Sequence, residues 1–334
     1  MDKRKVWAWA PASVSNLGPG FDALGAALSG MGDTVGVAAR TEPGITVSWH
    51  LESVWTGPDA TESNTAAVAA SHVARQYGYE GGLDITIRKG LMAGTGLGSS
   101  AASSVAAAVA ADSVLGGQLG MNGMASAVIH GESVVSGAGH GDNVLPSLLG
   151  GFVLLRSRHP VDHIRLEAWS ELGVIILMPD MSIMTKEARA VLPASVPLSD
   201  TVDHAARLAL LVDSLHRRDI EALGYWMMSD TLIEEAREDL LPHLAPVREA
   251  ALKAGAAGCT VSGSGPAIMA IHDTRIGSGA THIAKAMEEA CNAMNLTGRT
   301  THHQISNAGA CIKKGDQAIA WRDAGVSEWV STGS

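Results

Sequence analysis

Little in this chain of 334 residues suits an oxidising compartment. Its three cysteines, Cys259, Cys291 and Cys311, are odd in number and widely spaced, so neither a disulfide framework nor a zinc-ligand spacing is present, and the expected location is a reducing cytoplasm. Charge is also sparse, at 17% of residues against 46% hydrophobic, which favours a folded chain over a disordered one. What charge there is has the wrong sign for nucleic acid: 24 Lys and Arg against 34 Asp and Glu give a formal net charge of −10. The apolar run Ala101–Leu115 is too short, and too rich in alanine and serine, to cross a membrane. The opening stretch MDKRKVWAWAPAS lacks the sustained apolar region and cleavage site of a secretory signal. Three familiar motifs are missing as well. There is no G-x-x-x-x-G-K-[ST], Gly94, Gly96 and Ser99 give G-x-G-x-x-S without the third glycine of the dinucleotide pattern, and no G-x-S-x-G elbow occurs with an ordered acid and histidine.

What is present begins with MAGTGLGSSAASSVAAAVAADSVLG, Met92 to Gly116, where three glycines and two serines precede an alanine-rich run. Glycine lowers helix stability by roughly 1 kcal/mol relative to alanine, so the cluster reads as a loop and Ala101–Leu115 as a helix. Either Ser99 or Ser100 is expected to cap that helix. A glycine loop feeding a helix N-terminus gathers unpaired N–H groups and positive dipole at one point, a seat for an anion such as phosphate. Taken alone, such a cluster is more often a flexible turn. Overall negative charge does not exclude ATP, because the loop acts locally and magnesium lowers the charge of the nucleotide.

The length allows two domains or one large α/β unit. Val6–Ala10 reads as a first strand, followed by the loop PASVSNLGPGFDALG. Leu83–Arg88 alternates as a strand, and helical pattern resumes from Asn122 to about Val135. GGFVLLR and Leu172–Met178 read as core strands, Thr201–Gly255 as helical, and GCTVSGSGPAIMAIHD as strand, glycine turn, strand. A helix over about Ala280–Met294 and a last strand in TTHHQIS complete the pattern. Without a strict βαβ repeat, α+β is the expected class. The stretch 315–334, with Trp321 and Trp329, is expected to be a surface extension, or a docking segment if its tryptophans are buried.

PASVSNLGPGFDALG, GLGSSAAS and GCTVSGSGPAI occur in that order and together resemble the three signature motifs of the GHMP kinases, the galacto-, homoserine, mevalonate and phosphomevalonate kinases. SNLGPGFDALG and HGDNVLPSLLGGF look most like members that phosphorylate the hydroxyl of L-homoserine on the route to threonine. The resemblance spans about residues 5 to 312. It implies an ATP- and Mg²⁺-dependent kinase in which a ribosomal protein S5 domain 2-like unit, 1–160, precedes a ferredoxin-like unit, 161–314, with 315–334 as an extension. It also implies a homodimer.

The resemblance further implies that Met92, Ala93, Gly94, Thr95, Gly96, Leu97, Gly98, Ser99, Ser100, Ala101 and Ala102 surround the ATP phosphates and that Asn64 meets the adenine. Ser100 and Glu132 are expected at the magnesium, a hard cation that takes one or two carboxylates with phosphates and water. Without the motif, Ser100 is a simple cap, Glu132 a solvated helix carboxylate, and Asn64 an ordinary N-cap. For an amino-acid acceptor, Arg189 and Arg237 match arginines that hold the carboxylate, suited by their planar forks. Either could equally make a surface ion pair. Asp22 and Asp142 offer charge for the ammonium, and Asn16, His140 and Thr185 further hydrogen bonds. Gly263 belongs to the turn SGSGP, which reads equally as a tight hairpin. Asn143 stands where several relatives place an aspartate base. A neutral amide is a very poor base, so transfer without a dedicated protein base is expected, by positioning and by donors aimed at the phosphate.

Met92 stands where family members usually carry proline, which frees φ and restores an N–H at the loop entrance. The sequence also admits two rival readings. A kinase for mevalonate or a sugar would not need partners for both carboxylate and ammonium, and a non-catalytic metabolite sensor could have lost Ser100 and Glu132.

Overall fold

Strand β1 (Val6–Asn16) and strand β2 (Gly20–Arg40) form one long antiparallel hairpin, with Val6 opposite Val37 and Asn16 opposite Gly20. The turn-rich stretch after residue 10 is therefore not a loop. Its backbone is satisfied by cross-strand pairing, and its polar residues sit at irregularities: the register shifts between Pro11 and Ser13 and again between Ser15 and Asn16. The connection is tight enough to place Asn16, Leu17 and Gly18 all at positive φ. The computed structural model describes residues 5–136, 139–158, 160–277, 279–314 and 317–321.

Along the outer half of β2 lies β4 (Gly82–Arg88), antiparallel, and β3 (Gly44–Trp49) runs parallel to β4 at the sheet edge. Strand β5 (Phe152–Arg158) pairs with the inner half of β2 and with β6 (Val161–Leu166). Four helices cover this sheet: α1 (Thr65–Gln76), α2 (Ser99–Leu115), α3 (Met121–Ser136) and α4 (Gly141–Leu149). Helix α2 is apolar on every side, the pattern of a helix buried all round, and Ala101 to Ala111 are almost fully enclosed. Small side chains let the neighbouring helices approach closely: a Cβ on Gly131 of α3 would stand 2.3 Å from the Ser104 hydroxyl of α2.

A second sheet holds β7 (Leu172–Pro179), β8 (Gly258–Val261), β9 (Ile268–Asp273) and β10 (Gly298–Gln304), in the order β10-β7-β9-β8 and antiparallel throughout. Central β7 is buried on both faces, which explains its unbroken apolar run. Ile175 and Leu177 meet helices α9 (Leu244–Lys253) and α10 (Gly279–Ala293), while Val174 and Ile176 share a core with Ala26 and Leu28 of β2. That shared core ties the two sheets together. The segment between β7 and β8 carries α5 (Thr185–Ala190), α6 (Leu198–Arg217), α7 (Ile220–Met227) and α8 (Ile233–Ala236) before α9.

After β10 the chain returns to the first sheet, where β11 (Cys311–Lys314) pairs with β1 and β12 (Gln317–Ala320) pairs with β11. Trp321 is buried, 2% exposed, and its indole N–H donates to Asp112 Oδ2 of α2 at 3.2 Å. This part of the C-terminal stretch thus docks on the first sheet, whereas Trp329 lies outside the described residues. No helix among the described residues is long and apolar enough to cross a membrane.

Candidate functional site

The three glycine-rich segments meet at one place. Between β4 and α2, Gly94, Gly96 and Gly98 all have positive φ, a region strained for residues with a Cβ. Space is equally restrictive. A Cβ on Gly96 would stand 2.3 Å from the Ser262 carbonyl oxygen, and one on Gly98 2.1 Å from the Ser13 hydroxyl. Ser13 N–H donates to Leu97 O at 3.2 Å, Ser262 Oγ to Gly96 O at 2.7 Å, and Asn16 Nδ2 to Gly263 O at 2.7 Å.

Neither Ser99 nor Ser100 caps α2; the N-cap is Gly98, in a left-handed conformation. The first intrahelical bond runs from Ala102 N–H to Gly98 O at 2.9 Å, so the N–H groups of Ser99, Ser100 and Ala101 precede the ladder at the positive end of the helix. The serine hydroxyls turn elsewhere because both have stronger partners. Ser100 Oγ donates to Glu132 Oε1 at 2.9 Å, and Ser99 Oγ accepts from Lys89 Nζ at 2.6 Å.

Lys89 escapes a reading of the glycine loop alone, since it stands just before it. The residue is 3% exposed, and its ammonium runs beneath the loop and donates to Asp33, to Ser99 O at 2.8 Å and to Ser103 Oγ at 3.0 Å. Burial lowers its pKa, and the Asp33 carboxylate opposes that shift. Asp33 in turn accepts from the N–H groups of Gly90 and Leu91, so one ion pair fixes both the entrance of the loop and the start of α2. The available signal is a lysine at the end of a strand, directly before the glycines.

A cavity of about 420 Å³ opens over the loop. Trp49, Trp55, Pro58 and Asn64 line one end, Ala93 to Gly96 and Gly98 to Ser100 the middle, and Asp22, His140, Thr185, Arg189 and Arg237 the other. Asn64 also caps α1, accepting from Ala67 N–H at 3.1 Å. Met92, Leu97, Ala101 and Ala102 are not in the lining: Met92 is exposed, and the other three are buried in the cores.

Beside Ser100, Glu132 is buried and its carboxyl is pushed up to about 8, by burial first and then by the nearby charge of Asp142. Asp142 itself is raised to about 6 by burial and by Asp22, and its Oδ1 has no hydrogen-bond partner among the described residues. The enclosed Glu132 carboxyl and the Ser100 hydroxyl bonded to it are oxygen donors of the kind a hard divalent cation takes. Asn143 is held by both its amide atoms. Oδ1 accepts from Ser13 Oγ and Nδ2 donates to Ser15 Oγ, each at 3.0 Å.

At the far end, Arg189 Nη2 reaches Asp22 Oδ1 at 2.6 Å and His140 Nε2 at 2.8 Å. The imidazole accepts there and is therefore neutral, in keeping with a pKa lowered to about 4 by burial and by Arg189. Burial works against the Asp22 anion, but the hydrogen bond and charge of Arg189 outweigh it and hold the carboxyl below its ordinary range. Arg158 stands 3.4 Å from the same carboxylate. Arg237 donates from Nε to Ala188 O at 3.0 Å and from Nη1 to Gly263 O at 3.3 Å.

Two family models match this chain, the GHMP kinases N terminal domain over residues 64–151 and the GHMP kinases C terminal over 211–293. A homoserine kinase of Pyrococcus abyssi is 40% identical over 290 residues, 86% of this chain and 92% of that one. The chain belongs to the GHMP kinase family. Among other GHMP kinases, the homoserine kinase of Arabidopsis thaliana is 38% identical over 277 residues, covering 80% of this chain and 74% of its own. The crystal structure of a homoserine kinase from Cytophaga hutchinsonii superposes with a TM-score of 0.86 at 34% identity, covering 94% of this chain and 98% of that one. The mevalonate kinase of L. major shares the fold alone, with a TM-score of 0.67 at 15% identity, 92% of this chain and 97% of that one being covered. The α+β class and the GHMP kinase fold expected from the three motifs are therefore those of the protein.

Proposed function

We infer that the protein is a homoserine kinase, which transfers the γ-phosphoryl group of ATP to the hydroxyl of L-homoserine and releases O-phospho-L-homoserine for threonine synthesis. The observation that carries this reading is one cavity joining the glycine loop to paired arginines and acidic side chains. An acceptor with both carboxylate and ammonium finds partners for both there. Mevalonate lacks the ammonium and a sugar lacks both groups. Relatives named homoserine kinase, similar over more than four fifths of this chain, support the same substrate.

Phosphoryl transfer needs positioning and charge neutralisation more than covalent help from the protein. The loop glycines let backbone N–H groups approach the triphosphate, and the dipole of α2 stands behind them. Ser100 and Glu132 would hold Mg²⁺, which supplies further neutralisation of phosphate charge when bound. Arg189 and Arg237 orient the acceptor by its carboxylate, and Asp142 faces its ammonium. Asn143, with Oδ1 and Nδ2 both engaged, fixes the Ser13–Ser15 segment under the loop and takes no proton. The hydroxyl proton leaves to phosphate or water, so Asn143→Ala should not introduce the pH dependence of a lost base.

The test is ADP release with Mg-ATP and L-homoserine, beside mevalonate, galactose, L-threonine and no acceptor, repeated with Glu132→Ala. Turnover on L-homoserine, lost in the variant, is the expected result. Preference for mevalonate or galactose would overturn the substrate, and tight ATP binding with no turnover on any acceptor would turn the reading to a sensor.

A further inference from the structure

The chain has only two phenylalanines, and one of them, Phe21, lines the acceptor end of the cavity. The Arg189 guanidinium lies over its ring at 5.5 Å from the centroid, and that of Arg237 at 5.4 Å. Both distances fall within the roughly 6 Å reach of cation–π attraction. One ring therefore serves two cations that repel each other. Arg237 has most need of it. The residue is buried, 3% exposed, and among the described residues its guanidinium is met by two backbone carbonyls and the ring rather than by a carboxylate at ion-pair distance. Arg189, by contrast, is tethered to Asp22 and His140 through Nη2. Left without the ring, Arg237 would be drawn towards Asp22, the anion whose charge acts on it most strongly.

We propose that Phe21 is a positioning residue for acceptor recognition: its ring seats the Arg189 and Arg237 guanidiniums side by side, so that the acceptor carboxylate meets a preformed pair of cations. The ring does this because its π face attracts both cations while carrying no charge that either could neutralise. An acidic residue in its place would saturate the arginines, and an aliphatic one would leave them free to swing. Phe21 and Asp22 are chain neighbours at the start of β2, and the left-handed backbone of Asp22, φ 56°, breaks the strand alternation that would send the ring and the tethering acid to opposite faces. The proposal rests on reading the protein as a kinase whose acceptor bears a carboxylate.

Three proteins, wild type, Phe21→Leu and Phe21→Tyr, decide the matter with two ligands, L-homoserine and the amino diol in which hydroxymethyl replaces the carboxylate. Calorimetric Kd values are measured for both ligands, with KM for ATP and kcat alongside. Phe21→Leu should weaken L-homoserine on the order of tenfold, the effect of losing two partly desolvated cation–π contacts. The same change should leave the amino diol and the KM for ATP unmoved, and Phe21→Tyr should recover L-homoserine binding. Equal weakening of both ligands, a rise in the KM for ATP, or an unperturbed L-homoserine Kd in Phe21→Leu would overturn the proposal. Failure of the kinase reading gives a different result: a wild-type protein that binds L-homoserine without phosphorylating it refutes the reaction and leaves Phe21 to be judged by Kd. A wild-type protein that does not bind L-homoserine overturns both.

Discussion

Replacing Lys89 by methionine tests whether the ion pair beneath the glycine loop holds that loop in place. The side chain is 4% exposed and that of Asp33 fully buried, so the substitution leaves a carboxylate in the interior with its counter-ion removed. Breaking a buried pair in this way costs about 3–5 kcal/mol. Asp33 keeps hydrogen bonds from Gly90 and Leu91 N–H and from Ser103 Oγ, which places the expected loss within that range rather than above it. An unfolding entropy of roughly 2.1 cal/mol/K per residue gives about 0.7 kcal/mol/K for a chain of this length, so a loss near 4 kcal/mol lowers Tm by about 6 °C. Because Lys89 also holds Ser99, the loop loosens and the KM for ATP rises in the same variant. Thermal or urea unfolding and steady-state kinetics measure the two effects. The decisive comparison is with Lys89→Met/Asp33→Asn, which removes the stranded charge and should be the more stable of the two. If the double variant were no more stable than Lys89→Met, or if Lys89→Met lost less than about 1 kcal/mol with an unchanged KM for ATP, the ion pair would not be what fixes the loop.

Glu132 gives a pH prediction with a definite sign. Its folded carboxyl titrates near 8, above the ordinary value of 4.5, so the metal-free folded protein retains a proton that the unfolded chain gives up. Stability from this group is fully present below about pH 4.5 and is lost as pH rises through 8. Urea unfolding in EDTA at pH 5 and pH 8 should therefore show a decline in wild type that Glu132→Gln lessens, and an equal decline in both proteins would refute the assignment. Trp321→Ala removes a buried indole and its bond to Asp112, with an expected loss of about 3–5 kcal/mol. Trp321→Phe should keep most of that stability, and little change in either variant by urea unfolding would show that β12 does not brace α2.

Much of the site was legible in order along the chain, because glycine spacing records backbone demands that only glycine meets. Gly94, Gly96 and Gly98 mark a loop before α2, and the structure places all three there at positive φ. Alternation likewise marked β4, and unbroken apolar runs marked α2 and β7, because the first is buried mainly on one face and the other two on all sides. The hairpin of β1 and β2 was not legible. Its prolines, serines and glycines favour turns locally, and only pairing with a distant partner strand makes an extended conformation the better one. The same limit hid Lys89. Nothing local shows that a charged residue at a strand end is driven under a loop to meet Asp33, 56 positions earlier.

Sequence by itself determined which chemical groups were available and that a glycine loop would precede a helix, since these follow from residue type and short-range sterics. Tertiary structure alone decided that Ser99 and Ser100 face Lys89 and Glu132 instead of capping α2, that Arg189 and Arg237 share one ring, and that Trp321 closes on Asp112. Those outcomes depend on which groups lose water together, and burial of that kind is settled only when segments far apart in the chain are packed against one another.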